Sequence, residues 1–179
     1  MNKTELIKAA IEEGFHSAEV IDTERIVFDA AFRPYCEENL CGQYGVNYSC
    51  PPNCGSPEEM KERVLKHKNA LVFQMNQEIT DFNDTVKFKE SKRVHNASAI
   101  RLLKRLRESG HDCFMVGSSG CNLCNPCKLQ ENLPCAFPDL RFSCMSAYCI
   151  YVKKLAEDCN MQYDYKNGIL PFFGMIVFD

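Results

Sequence analysis

Three cysteines separated by two-residue gaps constrain this chain more than any other feature of its sequence. They are Cys121, Cys124 and Cys127; Cys135 follows after a gap of seven residues, and Pro138 comes just behind it. Three thiolates at this spacing can surround one face of a compact metal centre, because each short gap lets the backbone curl and return a sulfur atom to the same point. Bacterial ferredoxins bind a [4Fe–4S] cluster with such a run, whereas zinc sites more often use separated cysteine pairs or cysteine with histidine. The spacing predicts a metal–thiolate site and favours a cluster over zinc.

A second cysteine-rich segment, residues 33–55, contains Cys36, Cys41, Cys50 and Cys54. It also has three prolines and three glycines, and it shows no helical or strand periodicity. A loop of this length inside a compact domain usually has a function. The two prolines after Cys50 hold the backbone extended, which suggests a rigid wrap around a ligand. We expect at least three of these four cysteines to bind metal, as a second [4Fe–4S] cluster or, alternatively, as a structural zinc site.

We expect a single cysteine-rich metal-binding domain that covers residues 1–179. Its two cysteine loops are at 33–55 and 118–141. Twelve cysteines are more than a chain of this size needs for packing, and the net charge of −3 argues against nucleic acid or an anionic membrane as a partner. The N-terminus lacks the pattern of a signal peptide, and no apolar run is long enough to span a membrane. We therefore expect a cytoplasmic protein with reduced thiols, in which the cysteines bind metal.

Periodicity and capping residues predict about four helices, near residues 3–13, 57–68, 85–109 and 144–159. Short β-branched or apolar runs predict strands at 18–22, 25–29, 70–75, 112–117 and 168–178. The fold class is thus α/β or α+β, with a mixed, mostly parallel sheet of about four to six strands and two long cysteine-rich loops. Pro171 places the start of the last strand at an edge or a bulge.

This pattern predicts that a unit of strand, cysteine loop, helix and strand occurs twice. If both leading strands belong to one largely parallel sheet, both loops leave from carboxyl ends and lie at the same edge, where open α/β sheets place their ligands. We therefore expect two neighbouring metal centres.

Four further cysteines have less regular positions. Cys149 and Cys159 fall on the inner face of the predicted last helix, and Cys113 lies in a strand, so all three are expected to pack in the core. Cys144 comes at the predicted N-terminus of that helix, where the pKa of a thiol is lowered. It could approach a cluster or act as a reactive thiol, although a core or surface position is favoured.

Basic residues occur in the long helix and beside both cysteine loops. His95 lies in the long helix among several lysines and arginines, which indicates a solvated basic face or, alternatively, a docking face for an acidic electron-transfer partner. Arg33 and Arg141 flank the two cysteine loops, and either could compensate the negative charge of a thiolate cluster. No Ser/His/Asp arrangement, P-loop or Rossmann glycine pattern is present.

The chain resembles the family of predicted metal-binding proteins called DUF2284, found mainly in anaerobic bacteria and archaea. The resemblance covers nearly the whole chain and rests on these segments: Cys36…Cys41-Gly42-Gln43-Tyr44-Gly45…Ser49-Cys50-Pro51-Pro52, His95 ahead of the glycine at 110, Cys121-x2-Cys124-x2-Cys127…Pro134-Cys135…Pro138, and Arg141-Phe142-Ser143. The chain departs from the family after Arg141, where Ser-Met-Glu-Ala-x-Gly is replaced by a segment with Cys144 and Cys149. The resemblance implies metal binding and specifies no reaction.

The sequence thus predicts an iron–sulfur protein with one [4Fe–4S] cluster at the loop of residues 118–141 and a second at the loop of residues 33–55. Its predicted role is electron transfer to a redox partner protein. One alternative is an enzyme whose cluster has an open iron site for sulfur or small-molecule redox chemistry. Another is a structural zinc protein that acts as an interaction module. The sequence leaves the catalytic residues, if any, and the oligomeric state open.

Overall fold

In the computed structural model, which describes all 179 residues, five strands form one sheet. The strands are β1 (Ser17–Asp22), β2 (Asn69–Glu78), β3 (Cys113–Gly117), β4 (Ser143–Cys144) and β5 (Ile169–Phe178). Their order across the sheet is β1-β2-β5-β3-β4. The predicted fold class and mixed sheet are confirmed as α+β. The expectation that most strands run parallel is wrong, because only β3 and β4 pair in parallel and the other three pairs are antiparallel.

Five helices accompany the sheet. They are α1 (Lys3–Glu12), α2 (Arg33–Glu37), α3 (Pro57–Leu65), α4 (Thr85–Glu108) and α5 (Val152–Asp158). Two of them begin with a capping box: the Asn2 side chain and Glu5 cap α1, and Ser56 and Glu59 cap α3. In a capping box each side chain accepts from a backbone N–H that would otherwise be unpaired. These local signals explain why α1 and α3 agree with the prediction, and α4 also lies where its periodicity predicted it.

The segment after Ser143 differs from the predicted long helix. It begins as the two-residue strand β4, continues through turns, and becomes helical only at Val152. Cys149 has a φ of 55°, a left-handed conformation that no helix can contain. The predicted strand at 25–29 is also absent, apart from one isolated bridge between Phe28 and Ile150. The first cysteine loop therefore begins with α2 and is preceded by a short 3₁₀ helix (Ala30–Phe32), not by a strand. The predicted repeat of one structural unit is wrong.

Each face of the sheet is covered by an apolar cluster. Alternate residues of β2 point to opposite sides, as in any strand: Leu71 and Phe73 pack with α1 and α4, whereas Ala70 and Val72 pack with α3 and α5. The central strand β5 pairs with β2 along its whole length, but β3 reaches only the part from Met175 onward. At Pro171 the side of β5 that faces away from β2 therefore has no strand partner. This agrees with the predicted edge position of Pro171.

Helix α4 packs directly onto the sheet through His95, which is fully buried. A Cβ atom on Gly174 would lie 2.6 Å from the His95 ring and 2.6 Å from Phe73, so only glycine permits this approach. His95 is thus a core residue, and its predicted place on a basic face is wrong. Several charges of α4 are paired: Arg93 with Glu90 within the helix, Arg105 with Glu12 of α1, and Arg101 with Glu13 directly after α1. No helix has the length and apolar character needed to cross a membrane.

Candidate metal centre

The second cysteine loop begins where β3 ends at Gly117, and its four cysteines share one pocket. The pocket is lined by Cys121, Cys124, Cys127 and Cys135. Tyr48 and Ser49 of the first loop, Phe137 and Arg141 complete much of the lining. All four cysteines predicted as ligands in this loop therefore face a common space. Within it, no three His, Cys, Asp or Glu side chains converge closely enough to hold a single metal ion.

The first cysteine loop supplies its thiols from two places. Cys36 lies in the last turn of α2, and Cys41 follows in a turn and is the only exposed cysteine of the twelve. Cys50 and Cys54 are buried, at the two ends of a turn closed by a hydrogen bond from the Cys54 N–H to the Cys50 carbonyl oxygen. All twelve cysteines are free thiols. The loop thus places two of its cysteines inside the molecule and the other two nearer to solvent.

The two cysteine loops lie against each other. The Cys121 N–H donates to the Ser49 hydroxyl oxygen at 2.9 Å, and the Tyr48 hydroxyl donates to the Leu133 carbonyl oxygen at 2.7 Å. A Cβ atom on Gly120 would lie only 2.9 Å from the Cys50 sulfur. A glycine at position 120 therefore lets the start of the second loop pass directly beside a thiol of the first. The two loops are neighbours, as predicted, although the sheet that brings them together is mostly antiparallel.

A buried asparagine of α4 holds the entrance to the second loop. The Asn96 side-chain oxygen accepts from the Ser118 N–H at 3.1 Å and from its hydroxyl at 3.2 Å. The Asn96 amide nitrogen donates to the Ser119 hydroxyl at 2.8 Å. Asn96 is fully buried, so these bonds are shielded from water. No local pattern in the sequence distinguishes Asn96, which is one polar residue among many in a long helix.

The buried guanidinium of Arg33 has carbonyl partners but no carboxylate. It donates to the Gly55 carbonyl oxygen at 3.0 Å and to that of Ala147 at 2.9 Å, and its Nε has no partner. A buried charge without an opposite charge is costly. The positive charge of Arg33 acts on the thiols of Cys36 and Cys54, where it opposes the rise in pKa that burial causes. An anionic metal–thiolate group beside Arg33 would supply the missing countercharge, so the site fits such a group.

Burial also governs the other enclosed thiols. It raises the pKa of Cys50 and of Cys121, while hydrogen bonds to the thiolate from Asn47 and Ser49 oppose the rise at Cys50. These thiols are therefore protonated at neutral pH when nothing is bound. A metal that takes them as ligands must displace their protons, so metal affinity at this site depends on pH.

The four remaining cysteines lie in the core or in the edge strand β4. Cys113 and Cys159 belong to the two apolar clusters, and Cys149 is buried, as predicted for all three. The lowered pKa expected for Cys144 is wrong. This residue lies in β4 and not at a helix N-terminus, and burial raises its pKa to about 12.

A family model described as "Predicted metal-binding protein (DUF2284)" matches residues 19–178. No curated protein and no solved structure matches the chain significantly.

Proposed function

Because this chain belongs to the DUF2284 family of predicted metal-binding proteins, we propose that it is a cytoplasmic iron–sulfur protein that transfers electrons to a partner enzyme. One [4Fe–4S] cluster is bound by the second loop through Cys121, Cys124, Cys127 and Cys135. A second cluster is bound at the first loop, with ligands drawn from Cys36, Cys41, Cys50 and Cys54.

The observation that carries the proposal is the shared pocket of the second loop. Its four thiols line one common space. Three of them are separated by two-residue gaps, and the fourth follows after seven residues, just ahead of Pro138. Bacterial ferredoxins bind a [4Fe–4S] cluster with such a run, whereas zinc sites more often use separated cysteine pairs or cysteine with histidine. The shared space and the spacing together support a cluster rather than a structural zinc ion.

The contact between the loops supports electron transfer. The Cys50 sulfur lies beside Gly120, and Ser49 is hydrogen-bonded to Cys121, so groups held by the two loops would be close neighbours. An iron–sulfur cluster supplies one-electron redox chemistry, and the residues around it set its potential through charge, hydrogen bonds and burial. Arg33 at the first loop and Arg141 in the lining of the second-loop pocket are the positive charges placed to do so.

The first loop also provides the side from which a partner would receive electrons. Cys41 is exposed, and next to it Leu40 is 88% exposed; Tyr35 of α2 is 67% exposed. Apolar side chains of this size at the surface are often found where proteins meet. The basic residues of α4 are less suited to docking an acidic partner, because Arg93, Arg101 and Arg105 are already paired with glutamates.

The decisive test is metal analysis of protein prepared without oxygen. We expect iron and acid-labile sulfide in equal amounts, broad visible absorption that bleaches on reduction, and an EPR signal from the reduced protein. Replacement of Cys124 by serine should remove one cluster, whereas the matched replacement of Cys113, a core thiol at the other end of β3, should leave both clusters in place. Stoichiometric zinc without iron would overturn the proposal and favour the structural zinc protein.

A further inference from the structure

A second cavity opens between the two cysteine loops, beside the pocket of the four thiols. The first loop contributes Tyr48 and Cys54 to the lining of this inter-loop cavity, and the second loop contributes Pro138 and Arg141. Tyr48 and Arg141 also line the second-loop pocket, so the two spaces share a wall. The inter-loop cavity has a volume of about 290 Å³, near the lower limit for sites that bind small molecules. It therefore has room for a small organic ligand next to the candidate metal sites.

Two arginines give the inter-loop cavity a positive charge that no acidic residue offsets. Arg63 of α3 and Arg141 both line it, and its lining contains no aspartate or glutamate. The Arg63 guanidinium makes only two long contacts, to the Met60 sulfur at 3.6 Å and to the Cys54 carbonyl oxygen at 3.4 Å. The Arg141 guanidinium forms no hydrogen bond and lies 5.8 Å from the centre of the Tyr48 ring. Most N–H donors of both guanidiniums are therefore free to bind a ligand.

A buried hydroxyl without a partner also lines the cavity. Ser143, at the start of β4, is 6% exposed, and its hydroxyl forms no hydrogen bond within the protein. Buried polar groups are nearly always hydrogen-bonded, so an exception indicates a missing partner. An oxygen atom of a ligand in the cavity would supply that partner.

Aromatic rings form the apolar part of the lining. Phe114 and Tyr148 stack with their ring centres 6.3 Å apart and their planes at 20°, and Tyr148 is only 2% exposed. Phe142 and Tyr48 add two further rings. Apolar and aromatic walls with a few convergent polar groups are typical of small-molecule sites. The inter-loop cavity thus combines a surface for an apolar ligand body with free donors for an anionic group.

We propose that the inter-loop cavity binds a small organic acid, whose carboxylate is held by Arg63 and Arg141 and whose apolar body packs against the aromatic rings. The planar fork of a guanidinium matches the two oxygen atoms of a carboxylate. A phosphate group suits the cavity less, because it presents three acceptor oxygens and a charge of about −2, and the lining contains no lysine and no glycine. The inference goes beyond the proposed function, since the site is built from protein side chains whichever metal the loops hold.

Calorimetric titration of the full chain, prepared without oxygen and with its metal content measured, tests this assignment. The probe is benzoate, and the matched neutral probe is benzamide, which has the same ring but no charge. We expect benzoate to bind about tenfold more tightly than benzamide, because a hydrogen bond between charged groups contributes about this factor. The comparison uses the unaltered protein, so it does not depend on whether a variant folds.

Three variants then locate the bound carboxylate. Arg63→Gln and Arg141→Gln should each weaken benzoate binding about tenfold, and Ser143→Ala should weaken it by a smaller factor. Arg25→Gln is the matched control, because Arg25 is exposed, lies outside the cavity and has only a carbonyl partner, that of Asp158. Its benzoate affinity should equal that of the unaltered protein.

Several results would overturn the inference. Absence of saturable benzoate binding, or equally tight binding of benzamide, would show that the cavity does not select a carboxylate. Benzoate affinity that is unchanged in both arginine variants would place the ligand elsewhere, for example on the metal. Tighter binding of inorganic phosphate than of benzoate would refute the choice of a carboxylate. A protein that holds zinc and still binds benzoate through these arginines would overturn the proposed function alone.

Discussion

The hydroxyl oxygen of Ser49 accepts a hydrogen bond from the backbone N–H of Cys121 across 2.9 Å, and this bond connects the two cysteine loops. Ser49 immediately precedes Cys50, and its own N–H and hydroxyl both donate to the Asn47 side-chain oxygen. Its hydroxyl is therefore oriented to accept. Any movement of one loop is transmitted to a cysteine of the other, so the two candidate metal sites form one structural unit.

Replacement of Ser49 by alanine should loosen both loops. The variant leaves the partly buried Cys121 N–H without its partner, which should lower the free energy of unfolding by about 0.5–1.5 kcal/mol. We also expect a chelator to remove metal faster from this variant than from the unaltered protein. The matched control is Ser109→Ala, since Ser109 caps the far end of α4 and its hydroxyl donates only to Leu106. Equal metal loss from both variants would contradict the coupling of the loops.

Replacement of Gly120 by alanine should displace Cys50. The added Cβ would lie 2.9 Å from the Cys50 sulfur, closer than such atoms approach in practice, so one of the loops must shift. Overpacking of this kind typically costs about 1–3 kcal/mol. Metal content should fall at the first loop as well as the second. Gly174→Ala provides the comparison, because it crowds His95 and Phe73 in the core and should reduce stability with no selective loss of metal.

Replacement of Asn96 by alanine should release the entrance to the second loop. It removes three hydrogen bonds to Ser118 and Ser119, and we expect a loss of about 1–3 kcal/mol in urea unfolding. Ser91→Ala in the same helix is the control, since the Ser91 hydroxyl is buried without a partner and its removal breaks no bond. If the two variants are equally stable, Asn96 does not hold the loop.

His95 should make stability depend on pH. Burial lowers its pKa from 6.5 to about 4, so the folded protein keeps the ring neutral under conditions in which the unfolded chain protonates it. The unfolded state then binds more protons, and stability falls as the pH drops from 6.5 towards about 4. The full effect is about 3 kcal/mol, because each pKa unit corresponds to about 1.4 kcal/mol.

The His95→Gln variant isolates this effect. Above pH 6.5 the difference in unfolding free energy between the two proteins should be constant, and below it the unaltered protein should lose stability faster. Urea unfolding across this range measures the difference, and loss of metal at low pH affects both proteins alike. If the unfolding free energies of the two proteins change with pH in the same way, the His95 ring is not held neutral in the folded protein.

Short-range signals explain most of what could be predicted from the sequence. The caps at Asn2 and Ser56 act within one turn of helix, and the apolar runs of β2 and β5 determine a buried strand whatever it pairs with. The two-residue gaps of the second loop likewise act locally. The sequence could therefore indicate that these four thiols share a space, and the structure places them around one pocket.

Tertiary contacts decided what local patterns leave open. The sequence between Phe142 and Cys159 has the spacing of buried residues in a helix, but residues in turns can be buried at the same spacing, and the left-handed Cys149 interrupts it. Strand direction depends on partners far away in the chain, so the antiparallel pairing of β5 with β2 and β3 has no local signature. By itself the sequence determined that two loops carry grouped cysteines. Only the packing of β4 against β3 decided that Cys144 lies opposite Gly117 in the sheet, because that pairing joins residues far apart in the chain.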